Sequence, residues 1–195
     1  MSEYIERNSA NISSELDEPF TKKELMSALK VLKNNKASSF DKISNEMLKS
    51  GANTLNKPLL LLFNTILLNN IYPSSWKLDI LGPLHKSGPK DDPNNFRGIC
   101  VSSCLGKLFN TLLRNRLEQK CSNEDWMDRC QISGKKGART SDHLLVLHFL
   151  IKKYLKCGSK KLFVCFFDLR KAFDTVNRTQ LFYNLLKQYS VGESF

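Results

Sequence analysis

Several features that would point to common functions are absent. Only three histidines occur, and the six cysteines (Cys100, Cys104, Cys121, Cys130, Cys157 and Cys165) form no CxxC pair and have no histidine at zinc-finger spacing, so neither a structural zinc site nor a disulfide framework is expected. The longest apolar stretch, residues 59–68, is ten residues interrupted by Asn64, too short to span a bilayer. Nothing at the N-terminus reads as a secretory signal, and there is no internal repeat or low-complexity tract. The expectation is an intracellular protein, nuclear or cytoplasmic, with reduced thiols and no membrane contact.

Acids are also scarce. Lys and Arg number 30 against 19 Asp and Glu, for a formal charge of +11. Five of the acids lie in residues 1–20 beside Arg7 alone, so the remainder carries +15. Such an excess suits a polyanion, nucleic acid before anionic membrane, although a basic soluble surface would read the same way. With 195 residues, 41% of them apolar and 10% aromatic, the chain can bury a sizeable core.

The acidic leader over 1–18 is aperiodic and expected to be disordered. Thr21-Lys22-Lys23-Glu24 fits a capping box, and Leu25, Leu29 and Leu32 follow on one helical face until Asn34 and Asn35. After the loop 36–42 come a short helix near 46–49 stopped by Gly51, and a longer one over about 54–69 that ends before Tyr72-Pro73. Residues 76–85 and 98–102 read as two strands of a hairpin with a long loop. Leu105, Leu108, Phe109, Leu112 and Leu113 restore helical spacing, and further helices are expected over 142–157, ending at Gly158, and over 178–189. Between them, residues 162–169 form a continuous apolar run that suits a strand buried on both faces. The fold class is α/β or α+β.

Asp168 sits at the end of that run. An ionised carboxylate in apolar surroundings is costly unless paired or bound to a cation, so it is a candidate metal ligand; a turn or a helix cap is the alternative. The string Phe167-Asp168-Leu169-Arg170-Lys171-Ala172-Phe173-Asp174 resembles the first palm motif of reverse transcriptases of non-LTR retrotransposons of the jockey-like kind. The resemblance implies that Asp168 binds catalytic magnesium, with manganese as a substitute, and that Phe173 sits under the incoming sugar.

Upstream, Cys130-Gln131-Ile132-Ser133-Gly134-Lys135-Lys136-Gly137-Ala138-Arg139-Thr140-Ser141-Asp142 resembles a finger motif of the same family, with Ser133-Gly134 where Gly-Phe is expected. Lys135 and Arg139 become candidate contacts to template backbone or triphosphate. Asn95-Phe96-Arg97-Gly98-Ile99 resembles the preceding finger motif, which makes Arg97 a candidate template contact, with a structural ion pair as the alternative. Lys36-Ala37-Ser38-Ser39-Phe40-Asp41-Lys42-Ile43 resembles the template-facing loop, with Ser39, Phe40 and Lys42 where Gly, Pro and Gly are usual. By this resemblance residues 19–158 are fingers and 159–195 the start of a palm, a partial right-hand polymerase whose partners are an RNA template, a DNA primer and deoxynucleotides.

The family's Gly-rich motif and its aromatic-x-Asp-Asp hairpin do not follow Tyr189, and Asp91-Asp92, set in a polar loop, is no substitute. Two cations cannot be positioned by one aspartate, so the chain is expected to be a truncated piece that is inactive alone. The rival expectations are a non-catalytic RNA-binding remnant of a decayed mobile element and a product with no function. His85, His143 and His148 have no acid and nucleophile around them and are read as structural.

Overall fold

In the computed structural model, residues 14–123, 126, 128, 130–135, 137–156, 161–169 and 172–189 are described. They fall into two compact units, one holding residues up to 119 together with those from 182 on, the other residues 120–181.

The first unit is built on helices. After a single turn α1 (Ser14–Asp17) come α2 (Lys22–Val31), α3 (Asn45–Ser50) and α4 (Ala52–Asn69). A 3-10 turn, Ser74–Lys77, leads into strand β1 (Ile80–His85), which pairs antiparallel with β2 (Phe96–Val101) in the register Ile80↔Val101 to His85↔Phe96. Helix α5 (Cys104–Asn123) follows. The expected capping box is present: the Thr21 hydroxyl accepts from the Glu24 amide, and the Glu24 carboxylate accepts from the Thr21 amide at 2.7 Å. This ties the first turn of α2 where the sequence places it and leaves Leu25, Ala28 and Leu29 facing inward, fully buried.

Helix α4 carries the apolar stretch 59–68 and buries Leu59, Phe63, Ile66 and Leu67. Asn64, the polar residue within it, has a definite task. Its carbonyl accepts from the Phe20 amide at 2.6 Å and its amide donates to the Phe20 carbonyl at 3.2 Å, so it holds the chain entering α2 against α4. Asn70 then ends α4 in the left-handed conformation, which asparagine tolerates better than most residues.

An aromatic cluster completes the core. Phe20 and Phe63 meet Phe109 edge to face at 5.8 and 5.6 Å, and Tyr72 meets Trp76 at 5.6 Å. Each such side chain withdrawn from water contributes about 1.5–3 kcal/mol. Gly106 permits this closeness: a Cβ there would lie 3.1 Å from the Tyr72 hydroxyl and 3.2 Å from Trp76 Cβ.

The second unit contains helix α6 (Thr140–Leu155) and the start of α7 (Arg178–Tyr189), which continues into the first. No side chain of α6 is buried; Leu144, Val146 and Phe149 are more than half exposed.

The structure departs from the sequence reading in three places. The strand expected over 162–168 inside a sheet does not form among the described residues: 161–169 has no strand pairing, and Phe163 and Phe167 are 89% and 90% exposed. An apolar run records what a segment would bury, but a strand exists only where neighbouring backbone supplies hydrogen bonds, and the described sheet has two strands, β1 and β2. Trp76 belongs to the core through a 3-10 turn rather than to the first strand, which begins at Ile80. Within the expected disordered leader, Leu16 is buried and α1 is helical; residues 1–13 lie outside the described ones.

One charge cluster ties these helices together. The Arg116 guanidinium, on α5, donates from Nε to Glu24 Oε1 at 2.7 Å and from Nη2 to Oε2 at 3.1 Å. It also donates to the backbone carbonyls of Leu16, Glu18 and Pro19 and lies 4.3 Å over the Phe20 ring. Burial alone would push the Glu24 carboxyl up, but the bonds from Arg116 and Thr21 outweigh it and hold the group below its usual range. A depressed carboxyl contributes stability that is present above its ordinary pKa and lost as pH falls through the lowered one. Arg116→Ala is therefore expected to cost about 3 kcal/mol in urea unfolding, because it leaves Glu24 and three carbonyls without their partner. The variant should also lose the acid-dependent part of the stability curve; an unchanged curve would show that the cluster carries none of it.

Candidate functional site

The positions singled out in the sequence lie on two local frameworks of the second unit and one of the first. In the second unit, the Lys135 and Ala138 amides close successive turns by donating to Ile132 and Lys135 carbonyls at 3.2 and 3.3 Å. Gly134 and Gly137 take φ values of +83° and +85° with open space where a Cβ would stand, so the backbone conformation, not crowding, calls for glycine at both. This accounts for the altered Ser133-Gly134 pair: the left-handed position here falls on 134, where a phenylalanine would be strained.

The Lys135 ammonium donates to the Asp128 carbonyl at 2.9 Å and is half-buried. It carries three donors, so that bond does not exhaust it. Arg139 is exposed at the start of α6, where its amide donates to Asp142 Oδ2 at 2.8 Å. Asp142 thereby fixes the first turn of α6 and leaves the Arg139 guanidinium uncommitted to the cap.

Asp168 is exposed in segment 161–169, which forms neither helix nor strand, and Phe173 follows in a turn at 90% exposure. Thr175 closes that turn, its hydroxyl donating to the Ala172 carbonyl at 3.2 Å, and Asn177 caps α7 by accepting from the Gln180 amide at 3.1 Å. Arg170 and Lys171 lie outside the described residues. Arg97 belongs to the first unit, on β2 opposite Leu84, and is exposed. Its alternative as a structural ion pair finds no support: the ion pairs between described side chains are Arg114 with Glu118 and Arg116 with Glu24.

For divalent cations the donor set is incomplete. Among the described residues no three or more His, Cys, Asp or Glu side chains come together as a metal-holding group. Magnesium demands near-octahedral oxygen ligands, and one exposed carboxylate with its surrounding water does not fix a pair of such ions. The described residues do not by themselves fit a two-metal centre.

With this geometry in view, comparison with known proteins is decisive. The reverse transcriptase (RNA-dependent DNA polymerase) family profile matches residues 85–193, which include Arg97, Lys135, Arg139, Asp168 and Phe173. The chain belongs to the reverse transcriptase family. It is similar to the probable RNA-directed DNA polymerase from transposon BS of Drosophila melanogaster, 28% identical over 191 residues, which are 91% of this chain and 21% of that protein. The corresponding protein from transposon X-element of the same species is 28% identical over 202 residues, 95% of this chain and 22% of that protein. A Pol polyprotein from the type-1 retrotransposable element R2 of Popillia japonica is 29% identical over 118 residues, 59% of this chain and 16% of that one. The expected kinship with non-LTR retrotransposon reverse transcriptases is therefore correct, and the chain spans about a fifth of the length of the first two relatives.

Sequence reading gave the loop 36–43 a family resemblance but missed how it is held. Asp41 Oδ2 accepts from the Ser103 hydroxyl at 2.6 Å, Asp41 Oδ1 accepts from the Ile43 amide at 3.1 Å, and the Lys42 amide donates to the Ser39 carbonyl at 3.0 Å. Lys42 itself has φ +54°, a conformation that a glycine would adopt without strain. Left-handed backbone costs a side-chain-bearing residue about 1–2 kcal/mol, and part of that returns as glycine's larger unfolded-state entropy. Lys42→Gly is expected to stabilise the protein by about 0.5–1 kcal/mol, read as a raised urea midpoint at unchanged slope; a lowered midpoint would contradict the strain assigned to Lys42.

Proposed function

We propose that this chain is the template-holding front of a reverse transcriptase, fingers over residues 19–158 and the opening of the palm over 159–195. In the whole protein it takes part in RNA-templated addition of deoxynucleotides to a DNA primer. The observation that carries this reading is the family match over 85–193, which contains the Asp168 and Phe173 motif together with the basic turn of Lys135 and Arg139. Asp168 contributes one carboxylate toward catalytic magnesium, Phe173 lies against the sugar of the incoming nucleotide, and Lys135, Arg139 and Arg97 hold phosphates.

Charge supports the same reading. Residues 120–181 contain thirteen Lys and Arg against six Asp and Glu, whereas the rest of the chain has seventeen against thirteen. The excess is concentrated in the segment that bears the motif. Phosphate binding releases condensed counterions, so affinity falls steeply with salt in proportion to the phosphates neutralised. RNA binding is expected to weaken by orders of magnitude between about 50 and 200 mM salt. Replacing Lys135 and Arg139 together with Ala should reduce affinity more than replacing Lys22 and Lys23. Absence of binding at low salt, or of a salt slope, would overturn the reading.

The incomplete donor set gives a second expectation. Given a primed RNA template, deoxynucleotides and magnesium or manganese, the chain and its Asp168→Ala variant should both remain at background in primer extension, because among the described residues no further carboxylates join Asp168 to fix the ions. Extension that is lost in the variant would show that the remaining ligands are supplied within this chain or by a second copy.

A further inference from the structure

The loop between α2 and α3 is held unequally at its two ends. At its start the Asn45 side-chain amide donates to the Lys33 carbonyl at 2.8 Å, the Lys49 ammonium donates to the Leu32 carbonyl at 3.2 Å and to Asn34 Oδ1 at 2.8 Å, and the Asn35 backbone amide donates to the Glu46 carboxylate. Asn35 itself has φ +56°, a conformation that asparagine tolerates better than most residues. Several bonds from α3 therefore pin the start. The end is held differently. The Lys42 amide donates to the Ser39 carbonyl and the Ile43 amide to Asp41 Oδ1, and both bonds are internal to the turn 39–43. Among the described residues, what joins the side chains of this turn to α5 is the Ser103 hydroxyl, which donates to Asp41 Oδ2 at 2.6 Å across 62 positions. Ser103 and Ser39 are buried, whereas Phe40 is 68% exposed.

Strain sits on the same five residues. Lys42 has φ +54°, a left-handed backbone that disfavours a residue with a Cβ, so the closed turn works against the bond that holds it. The Phe40 ring, mostly in water, adds little packing. A strained backbone persists only where its surroundings over-determine it, and here those surroundings reduce to one bond to a carboxylate and the burial of Ser39. We infer that residues 39–43 form a latch: a two-state turn that opens as a unit, without unfolding of the helical core, when the bond between Asp41 and Ser103 breaks. The pinned start at Asn35 is the hinge, and opening relieves the strain at Lys42. The buried cluster, which includes Leu25, Phe63 and Leu108, takes no member from residues 36–42, so the open turn exposes little apolar surface. Ser103 stands two residues beyond the end of β2, and the state of the latch is therefore set at the corner where the hairpin passes into α5.

Native-state hydrogen exchange of the whole chain, read amide by amide at several low urea concentrations, tests the latch. The Lys42 and Ile43 amides are expected to exchange through an opening that barely responds to urea, because little surface is exposed, while the amides of Phe63 and Leu67 in α4 exchange through a urea-sensitive global step. Ser103→Ala should speed exchange at Lys42 and Ile43 about tenfold, the order expected for loss of one hydrogen bond to a charged group, although neither amide loses its own acceptor. Ser103→Thr keeps the hydroxyl and should restore the slow rate. Lys42→Gly deletes no bond and should slow exchange at Ile43 about threefold by removing strain from the closed turn. The Lys107 amide, which donates to the Ser103 carbonyl, reports on the first turn of α5 and should be unchanged in Ser103→Ala. The same urea dependence at Lys42 and Ile43 as at Phe63 and Leu67 would overturn the latch, and so would equal exchange in Ser103→Ala and the unaltered chain, or equally fast exchange in Ser103→Ala and Ser103→Thr. Acceleration at Lys107 by the same factor would also overturn it, since the effect would then belong to the start of α5.

Discussion

The first unit depends on one guanidinium. Arg116 reaches from α5 to Glu24 on α2 and to the carbonyls of Leu16, Glu18 and Pro19, while its flat face covers Phe20. A planar fork suits this geometry, for it can bond a carboxylate with two nitrogens and still stack on an aromatic ring. Glu24 is already committed to the Thr21 amide and hydroxyl, so the same carboxylate starts α2 and anchors α5. The cap is local and the anchor is long-range, and each holds the other in position. With Asn64 bonded to both backbone groups of Phe20, the entry to α2 is fixed from two helices, and Phe20 is delivered edge-on to Phe109.

That arrangement separates what is legible in a sequence from what is not. The Thr21-Glu24 box, the apolar face of α2, the asparagines at helix ends and the span of α7 follow from spacing within a few residues, and the structure has them where they were expected. Arg116 carried no such signal, because its partner Glu24 is 92 positions away and its own neighbours read as an ordinary basic helix. Trp76 misled for a related reason. Its flanking residues alternate as a strand does, but Tyr72, Phe63 and Phe109 surround it, and packing of that kind overrides local preference.

The candidate site shows the same division more sharply. The left-handed glycine at 134 was hidden by an apparent mismatch with the family pattern: the motif was recognisable, while the turn that puts Gly134 in the left-handed region was not. At Lys42 the substituted residue keeps the left-handed backbone that its family's glycine would adopt freely. In both places the left-handed backbone, not the residue type, is what the turn requires. Asp168 was singled out by its place at the end of an apolar run and then by its motif, Phe173 by the motif alone, and spacing could not have revealed that the run before them would be exposed.

That exposure follows from what a strand requires. Residues 162–169 are apolar on alternate positions of both faces, so they would suit the middle of a sheet, where backbone on either side and apolar layers above and below complete them. Their pattern states a demand in full and supplies none of the partners. α6 repeats the point, with Leu144, Leu145, Val146 and Phe149 all exposed; apolar surfaces of this extent are ordinarily covered in a working protein. The positive charge of the same unit has a different requirement, since Lys and Arg lose little by facing water and gain by facing phosphate. Residues 120–181 thus combine two features of unlike chemistry, apolar side chains exposed among the described residues and an excess of positive charge. A carboxylate at the end of the apolar run lies at the meeting point of these demands. An ionised carboxylate is costly to bury without a cation or a paired charge, so covering residues 162–169 with apolar polypeptide would constrain what can stand beside Asp168.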